Sequence, residues 1–365
     1  MTGTARPSSP LPPARLPDVD SGFEQRLIDG IRPIGELFLA HGLHHLFSSG
    51  VFDRLTATNS PVAVDDLAAG LGLIPERLAG LLAYLANEGI VTLEDGRAAL
   101  TPRATAYAEF RSWYTFLVGG YAGTAGQIGD ALRLGAPPCT RNGRDVGVGS
   151  TEIARFDGMP MTQTLLEDAD VRPRTILDLG CGDGRYLVDM CRRMPGVRAW
   201  GAEPDAGAFE QAQELVKSEG LADRVELVHA GAEKFLAAPP PGCAPDLLVF
   251  GYVLQEILGQ QDRGTVVDLL RSVVDTFPDI HIAVIEVDHA IADPAVMRHG
   301  LARNFWNIYY LVHYFTNQRL ESRAFWEDVF DEAGLHRLGQ VTTPVQADST
   351  GVELGYLLSG GRSGA

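Results

Sequence analysis

One stretch constrains the fold more than any other. Ile176-Leu177-Asp178-Leu179 runs into Gly180-Cys181-Gly182-Asp183-Gly184, and Tyr186, Leu187, Met190 and Cys191 follow at helical spacing. An apolar run of strand length, three glycines at alternate positions and a helix-period run predict a strand, a tight loop and a helix. Glycine lets such a loop turn sharply and removes the Cβ atoms that would keep a ligand from the helix N-terminus. Strands are predicted at 175–179, 197–202, 225–228, 247–250 and 280–287, with helical runs between them. That alternation predicts an α/β, doubly wound parallel sheet.

The loop spacing is G-x-G-x-G. A dinucleotide fingerprint needs a third glycine where this chain has Arg185, so that match fails. At the end of the next strand, Gly201-Ala202-Glu203-Pro204 offers a carboxylate able to accept hydrogen bonds from both hydroxyls of a ribose. Asp178, the loop and Glu203 together resemble the cofactor-binding motifs of class I S-adenosylmethionine-dependent methyltransferases, whose acidic strand residue and loop hold the methionine part. The resemblance implies cofactor contacts from Asp178, Gly180, Gly182, Glu203 and Pro204, and from Gly231, Ala232, Gly251 and Tyr252 after later strands. Those enzymes often carry an acidic residue for the adenine amino group where this chain has Gly231 or Ala232, which leaves the contact to backbone or to Glu233.

Composition bounds the rest. With 30 Lys plus Arg against 47 Asp plus Glu, a net charge of −17, the chain lacks the basic footprint of a nucleic-acid binder. Its 45% apolar content supports two domains. No apolar run reaches the ~20 residues of a membrane span, and the proline-rich N-terminus has no signal-peptide core, which points to the cytoplasm. Four cysteines without a C-x-x-C pair read as free thiols. The expected organisation is a disordered tail over 1–20, a helical domain and linker over 21–150, and the cofactor domain over 151–365. Within the second of these, helices near 65–69 and 75–87 and a hairpin over 90–100 have the order of a winged helix. Its second helix carries Glu76, Arg77 and Glu88 and offers phosphates little, so packing and dimerisation are the expected roles. The glycine-rich stretch 135–150 reads as a linker.

A winged-helix module followed by a cofactor domain resembles the O-methyltransferases of small-molecule pathways, which dimerise through the first module. The implied architecture is a Rossmann-like methyltransferase domain preceded by a mainly α dimerisation domain, over residues 23–358. Those enzymes usually place a general-base histidine where this chain has Gln255, and an amide has no basic lone pair. Hydroxyl methylation is weakened accordingly.

In the stretch 305–315, helical spacing sets Phe305, Tyr309 and His313 on one face. His313, followed by Trp326 and Phe330-Asp331-Glu332-Ala333-Gly334, resembles the C-methyltransferases that act on 2-oxo acids such as phenylpyruvate and 2-ketoarginine. The resemblance implies that His313, with Glu256 or Gln255, holds an active-site metal ion, iron or zinc, that stabilises an enolate. His289 is a reserve ligand or base. Residues 23–30 with His44-His45-Leu46-Phe47 are most similar to the 2-ketoarginine methyltransferases. That similarity implies a homodimer with a small-molecule 2-oxo acid substrate, on the way to a β-methylated amino acid, with no nucleic-acid or membrane partner. Glu286 and Asp288, at a strand's carboxyl end, are candidates for the guanidinium. Two other readings stand beside it: an O-methyltransferase using His313 or His289 as base, and a non-catalytic regulator that senses S-adenosylmethionine.

Overall fold

The computed structural model describes residues 22–58 and 60–360, so the expected tail over 1–20 lies outside the described residues. Two compact units are present, one ending at Glu109 and one beginning at Phe110.

The first unit is mostly helical. Helices Phe23–Ser48, Val51–Thr58, Val64–Leu71 and Pro75–Asn87 accompany a small antiparallel sheet of β1 (Val62–Ala63), β2 (Val91–Glu94) and β3 (Arg97–Leu100) in the order β1-β3-β2. Asp95 and Gly96 both take positive φ between β2 and β3, as a two-residue hairpin turn requires. Leu46, Val51, Leu67, Leu82 and Ile90 fill the core, while the helix Phe23–Ser48 leaves Phe23, Leu27, Ile31, Ile34 and Phe38 exposed along one side. The helix continues through Pro33.

The second unit holds the predicted sheet. β4 (Thr175–Leu179), β5 (Arg198–Ala202), β6 (Val225–Val228), β7 (Leu247–Gly251) and β8 (His281–Val287) are parallel. Two strands that the sequence pattern does not announce, β9 (Leu335–Val341) and β10 (Glu353–Gly360), complete it antiparallel, in the order β6-β5-β4-β7-β8-β10-β9. Alternate side chains serve opposite faces. Leu177, Leu248, Val284 and Tyr356 pack with residues of the helices Arg263–Thr276 and Arg323–Glu332, and Ile176, Val249, Ile285 and Leu357 with those of Gly158–Asp168 and Arg185–Arg193. Successive strands run outward from β4 in both directions, so a crevice opens between the carboxyl ends of β4 and β7.

Residues 143–154, which straddle the end of the predicted linker, form one helix within the second unit. Asn142 caps it, its side chain accepting from the Asp145 N–H at 3.3 Å. Gly149 is there for close approach, because a Cβ at that position would stand 2.6 Å from the Phe116 backbone nitrogen. The division between compact units therefore falls at 109/110, ahead of the glycines that suggested 150. No helix among the described residues is long and apolar enough to cross a membrane.

Candidate active site

A cavity of about 490 Å³ occupies the crevice, walled by Asp178, the loop Gly180 to Asp183, Gly251, Tyr252 and one side of the helix Gly143–Ala154. Gly180 and Gly182 have φ of +90° and +56°, where an L side chain is strained. The Gly182 N–H donates to Glu203 Oε2 at 2.9 Å and the Asp205 N–H to Oε1 at 2.8 Å. Glu203 thus ties the loop to the end of β5, and each of its oxygens keeps a lone pair beyond these bonds. Burial lifts the Asp178 carboxyl to about 7, with the Glu203 charge adding to the rise.

Of the nine predicted cofactor residues, Asp178, Gly180, Gly182, Gly251 and Tyr252 are on the cavity wall, and Glu203, Pro204, Gly231 and Ala232 are not. Pro204 and Gly231 neighbour each other, since a Cβ on Gly231 would lie 3.9 Å from that of Pro204. Sequence reasoning missed Arg144, Ser150 and Thr151 on the opposite wall. The signal for them was Asn142 as an N-cap, three residues before Asp145.

Tyr252 is one of three non-glycine residues with positive φ among the described residues, at +59°. Its hydroxyl donates to Glu353 Oε1 at 2.8 Å. The Thr343 hydroxyl donates to the same carboxyl, and the Gly158 N–H donates to Asp157, which caps the helix Gly158–Asp168. Burial pushes Asp157 up to about 7 and holds Glu353 well above the ordinary carboxylate range, the Asp157 charge adding to the latter.

His313 lies on the helix Asn307–Phe315, 3% exposed, its ring stacked 3.9 Å from that of Tyr309. Its Nδ1 is 2.7 Å from the Tyr309 carbonyl oxygen. A carbonyl can only accept, so the proton sits on Nδ1 and the lone pair on Nε2. Burial takes this imidazole down to about 3, outweighing the Tyr309 hydrogen bond, and the Arg141 charge lowers it further. The ring is neutral at physiological pH. Gln255 joins the same constellation, donating from Nε2 to the Tyr309 hydroxyl at 2.9 Å and from its backbone N–H to Glu286 Oε1 at 3.1 Å. His313 itself does not line the cavity.

Glu256 is engaged elsewhere. Its Oε1 accepts from Arg141 at 2.6 Å and from Gln318 Nε2 at 2.9 Å, and Gln318 in turn accepts from the buried Tyr121 hydroxyl at 3.1 Å. Among the described residues no group of three or more His, Cys, Asp or Glu side chains is placed to hold a metal ion. Of the donors expected from the resemblance, Glu256 does not fit, because Arg141 and Gln318 occupy its carboxylate, and only the Gln255 amide oxygen is left to accompany His313. His289 bonds the exposed Tyr314 hydroxyl at 2.9 Å. Asp288 accepts from the Arg323 N–H at the start of the helix Arg323–Glu332 and so belongs to that helix end.

A family model described as a methyltransferase domain matches residues 176–276. The chain is 41% identical over 345 residues, 93% of its own length and 98% of the relative's, to 2-ketoarginine methyltransferase from Streptomyces arginensis. Among solved structures, N,N-8-amino-8-demethyl-D-riboflavin dimethyltransferase from Streptomyces davawensis aligns with a TM-score of 0.61 at 18% identity, covering 93% of this chain and 99% of that one. Human N-acetylserotonin methyltransferase aligns with a TM-score of 0.61 at 17% identity, covering 94% and 100%. These two share the fold. The glycine loop, the acidic residues at the ends of β4 and β5 and these matches define an S-adenosylmethionine-dependent methyltransferase. Within that class, the chain belongs to the family of the Streptomyces arginensis 2-ketoarginine methyltransferase.

Proposed function

We propose that the enzyme methylates C3 of a 2-oxo acid, 2-ketoarginine, on the way to a β-methylated amino acid. The observation that carries this is the 41% identity to a 2-ketoarginine methyltransferase along almost the whole chain. When bound, S-adenosylmethionine supplies an electrophilic methyl group and departs as S-adenosylhomocysteine. Asp178, Gly180, Gly182 and Glu203 would hold it, with Pro204, Gly231 and Ala232 beside Glu203.

For carbon to accept a methyl group, a C3 proton leaves first, and its bonding pair becomes the enolate that forms the new carbon–carbon bond. His313 is the catalytic residue in this reading. Its Nε2 lone pair takes the proton, and the substrate's own negative charge opposes the burial that otherwise keeps the ring neutral. Arg141, whose charge already reaches His313, supplies positive potential for the carboxylate and the developing enolate. Gln255 positions Tyr309, on which His313 stacks. No metal ion held by His313 and Glu256 enters this scheme, since Glu256 carries Arg141 and Gln318.

Incubating the protein with methyl-labelled S-adenosylmethionine and either 2-ketoarginine or phenylpyruvate tests the reading. Label is expected in 2-ketoarginine, and label in neither acid removes the proposal. We further infer that the first unit is a winged-helix module that pairs with a second copy of the chain through the exposed apolar side of the helix Phe23–Ser48. A cytoplasmic location is supported by four free cysteines.

A further inference from the structure

Three carboxyls are buried around the hydroxyls of Tyr252 and Tyr309, and the side-chain charges that act on them are other acids. Asp157 and Glu353 are 7% and 3% exposed, and Glu286 is fully buried. Asp157 acts on Glu353, Asp348 on both, and Glu256 on Glu286. Tyr309 lies in the field of Glu286 and Glu353, and Tyr252 in that of Asp157, Glu353 and Tyr309. Glu353 pairs with Val287 and Glu286 with Leu354, so the two carboxyls leave this end of the sheet from opposite faces, and Tyr309 stands in the field of both.

The hydrogen bonding here is lopsided. Glu286 Oε1 accepts from the Gln255 N–H, but Glu286 Oε2 is sealed from solvent with no hydrogen-bond partner among the described residues, and so is Gln255 Oε1. Both side chains are at most 1% exposed. Burying acceptors without donors is costly, the more so when they are carboxylates. What Glu286 Oε2 and Gln255 Oε1 lack is a hydrogen-bond donor, and what the three carboxyls lack is a positive charge beside them. A guanidinium has five N–H donors in one plane, no acceptor and a permanent charge. Tyr252 and Gly158 also belong to the cavity wall, so the cluster lies directly behind the cofactor crevice.

We propose that Asp157, Glu353, Glu286 and Gln255, grouped around Tyr252 and Tyr309, form the subsite that holds the guanidinium end of the substrate and sets the preference for it over neutral 2-oxo acids. This deepens the function proposed above and rests on it. Asp157 and Gln255 become specificity residues in this account, and Asp288 has no part.

The test compares 2-ketoarginine with its ureido counterpart, which has the same length and shape but no charge, in the wild type and in the Glu353→Gln and Glu286→Gln variants. The wild type is expected to favour the guanidino compound by roughly 100-fold or more in kcat/KM, the scale of leaving a buried charge without its partner. Each variant is expected to lower that ratio about tenfold or more, mainly through KM for the guanidino compound. A merely structural role would depress both substrates together and leave the ratio unmoved. An unmoved ratio in variants that still bind S-adenosylmethionine overturns the subsite while leaving the proposed reaction standing. Methylation of no 2-oxo acid by the wild type removes both. Should the variants fail to fold, the wild type alone decides: methylguanidine is expected to compete with 2-ketoarginine and methylurea is not, and equal behaviour of the two overturns the subsite.

Discussion

The cofactor end of this active site is assembled almost entirely from neighbours in sequence. Asp178, the glycine loop and Glu203, the proposed cofactor residues, follow one another within a single strand–helix–strand unit, and main-chain geometry sets the loop. The proposed substrate end draws Arg141, Asp157, Tyr252, Gln255, Glu286, His313 and Glu353 from separate elements and relies on side chains held by packing. The contrast teaches that one end is fixed by local backbone angles and the other by tertiary burial. Substitutions should therefore separate the two ends cleanly, affinity for the cofactor following one and turnover the other.

The sharpest separation is expected at His313. His313→Ala should lower kcat by about 10³-fold or more, in the upper part of the range for loss of a positioned acid–base group, while calorimetry finds S-adenosylmethionine affinity unchanged. A parallel loss of cofactor affinity would erase the distinction between the ends. The converse change is Gly182→Ala. Forcing a Cβ into a φ of +56° costs about 1–2 kcal/mol; the free loop relaxes away from that geometry and binding must restore it, so cofactor affinity should fall by up to roughly tenfold. The preference between 2-oxo acids should stay where it was.

A pH series sharpens the cofactor end. Burial and the Glu203 charge hold the Asp178 carboxyl at about 7, so it is protonated below that pH and ionised above. A cationic ligand favours the ionised form. Affinity for S-adenosylmethionine should therefore climb as pH rises towards 7, by up to about tenfold per unit, and level off beyond. In Asp178→Asn the slope should vanish. The unliganded protein should show the opposite trend. Its folded state holds the Asp178 proton that the unfolded chain releases near 3.8, so this group's contribution to stability declines between about pH 4 and 7. The smallest effect expected is at the cap of the wall helix. Asn142→Ala should cost about 1 kcal/mol, read as a lowered Tm, with the choice of 2-oxo acid unaltered.

The same contrast governs what could be read from the sequence. The glycine loop and five parallel strands were legible because periodicity and positive φ leave marks within a few residues. Glycines 143, 147 and 149 misled, since glycine marks a loop and a close helix contact alike, and only the packing of Gly149 on Phe116 distinguishes them. The stripe of Phe305, Tyr309 and His313 was visible by spacing, yet the partner of Glu256 was not, because Arg141 is 115 residues away along the chain. That Asp157 acts on Glu353 was likewise hidden, because it depends on β10 joining the sheet antiparallel.

The most direct test of the account is the bond that the reaction makes. With ¹³C-methyl S-adenosylmethionine and 2-ketoarginine carrying ¹³C at C3, the product's carbon spectrum should show the new methyl split by one-bond coupling to C3. A methyl signal without that coupling, at a position typical of a methoxy group, would contradict it.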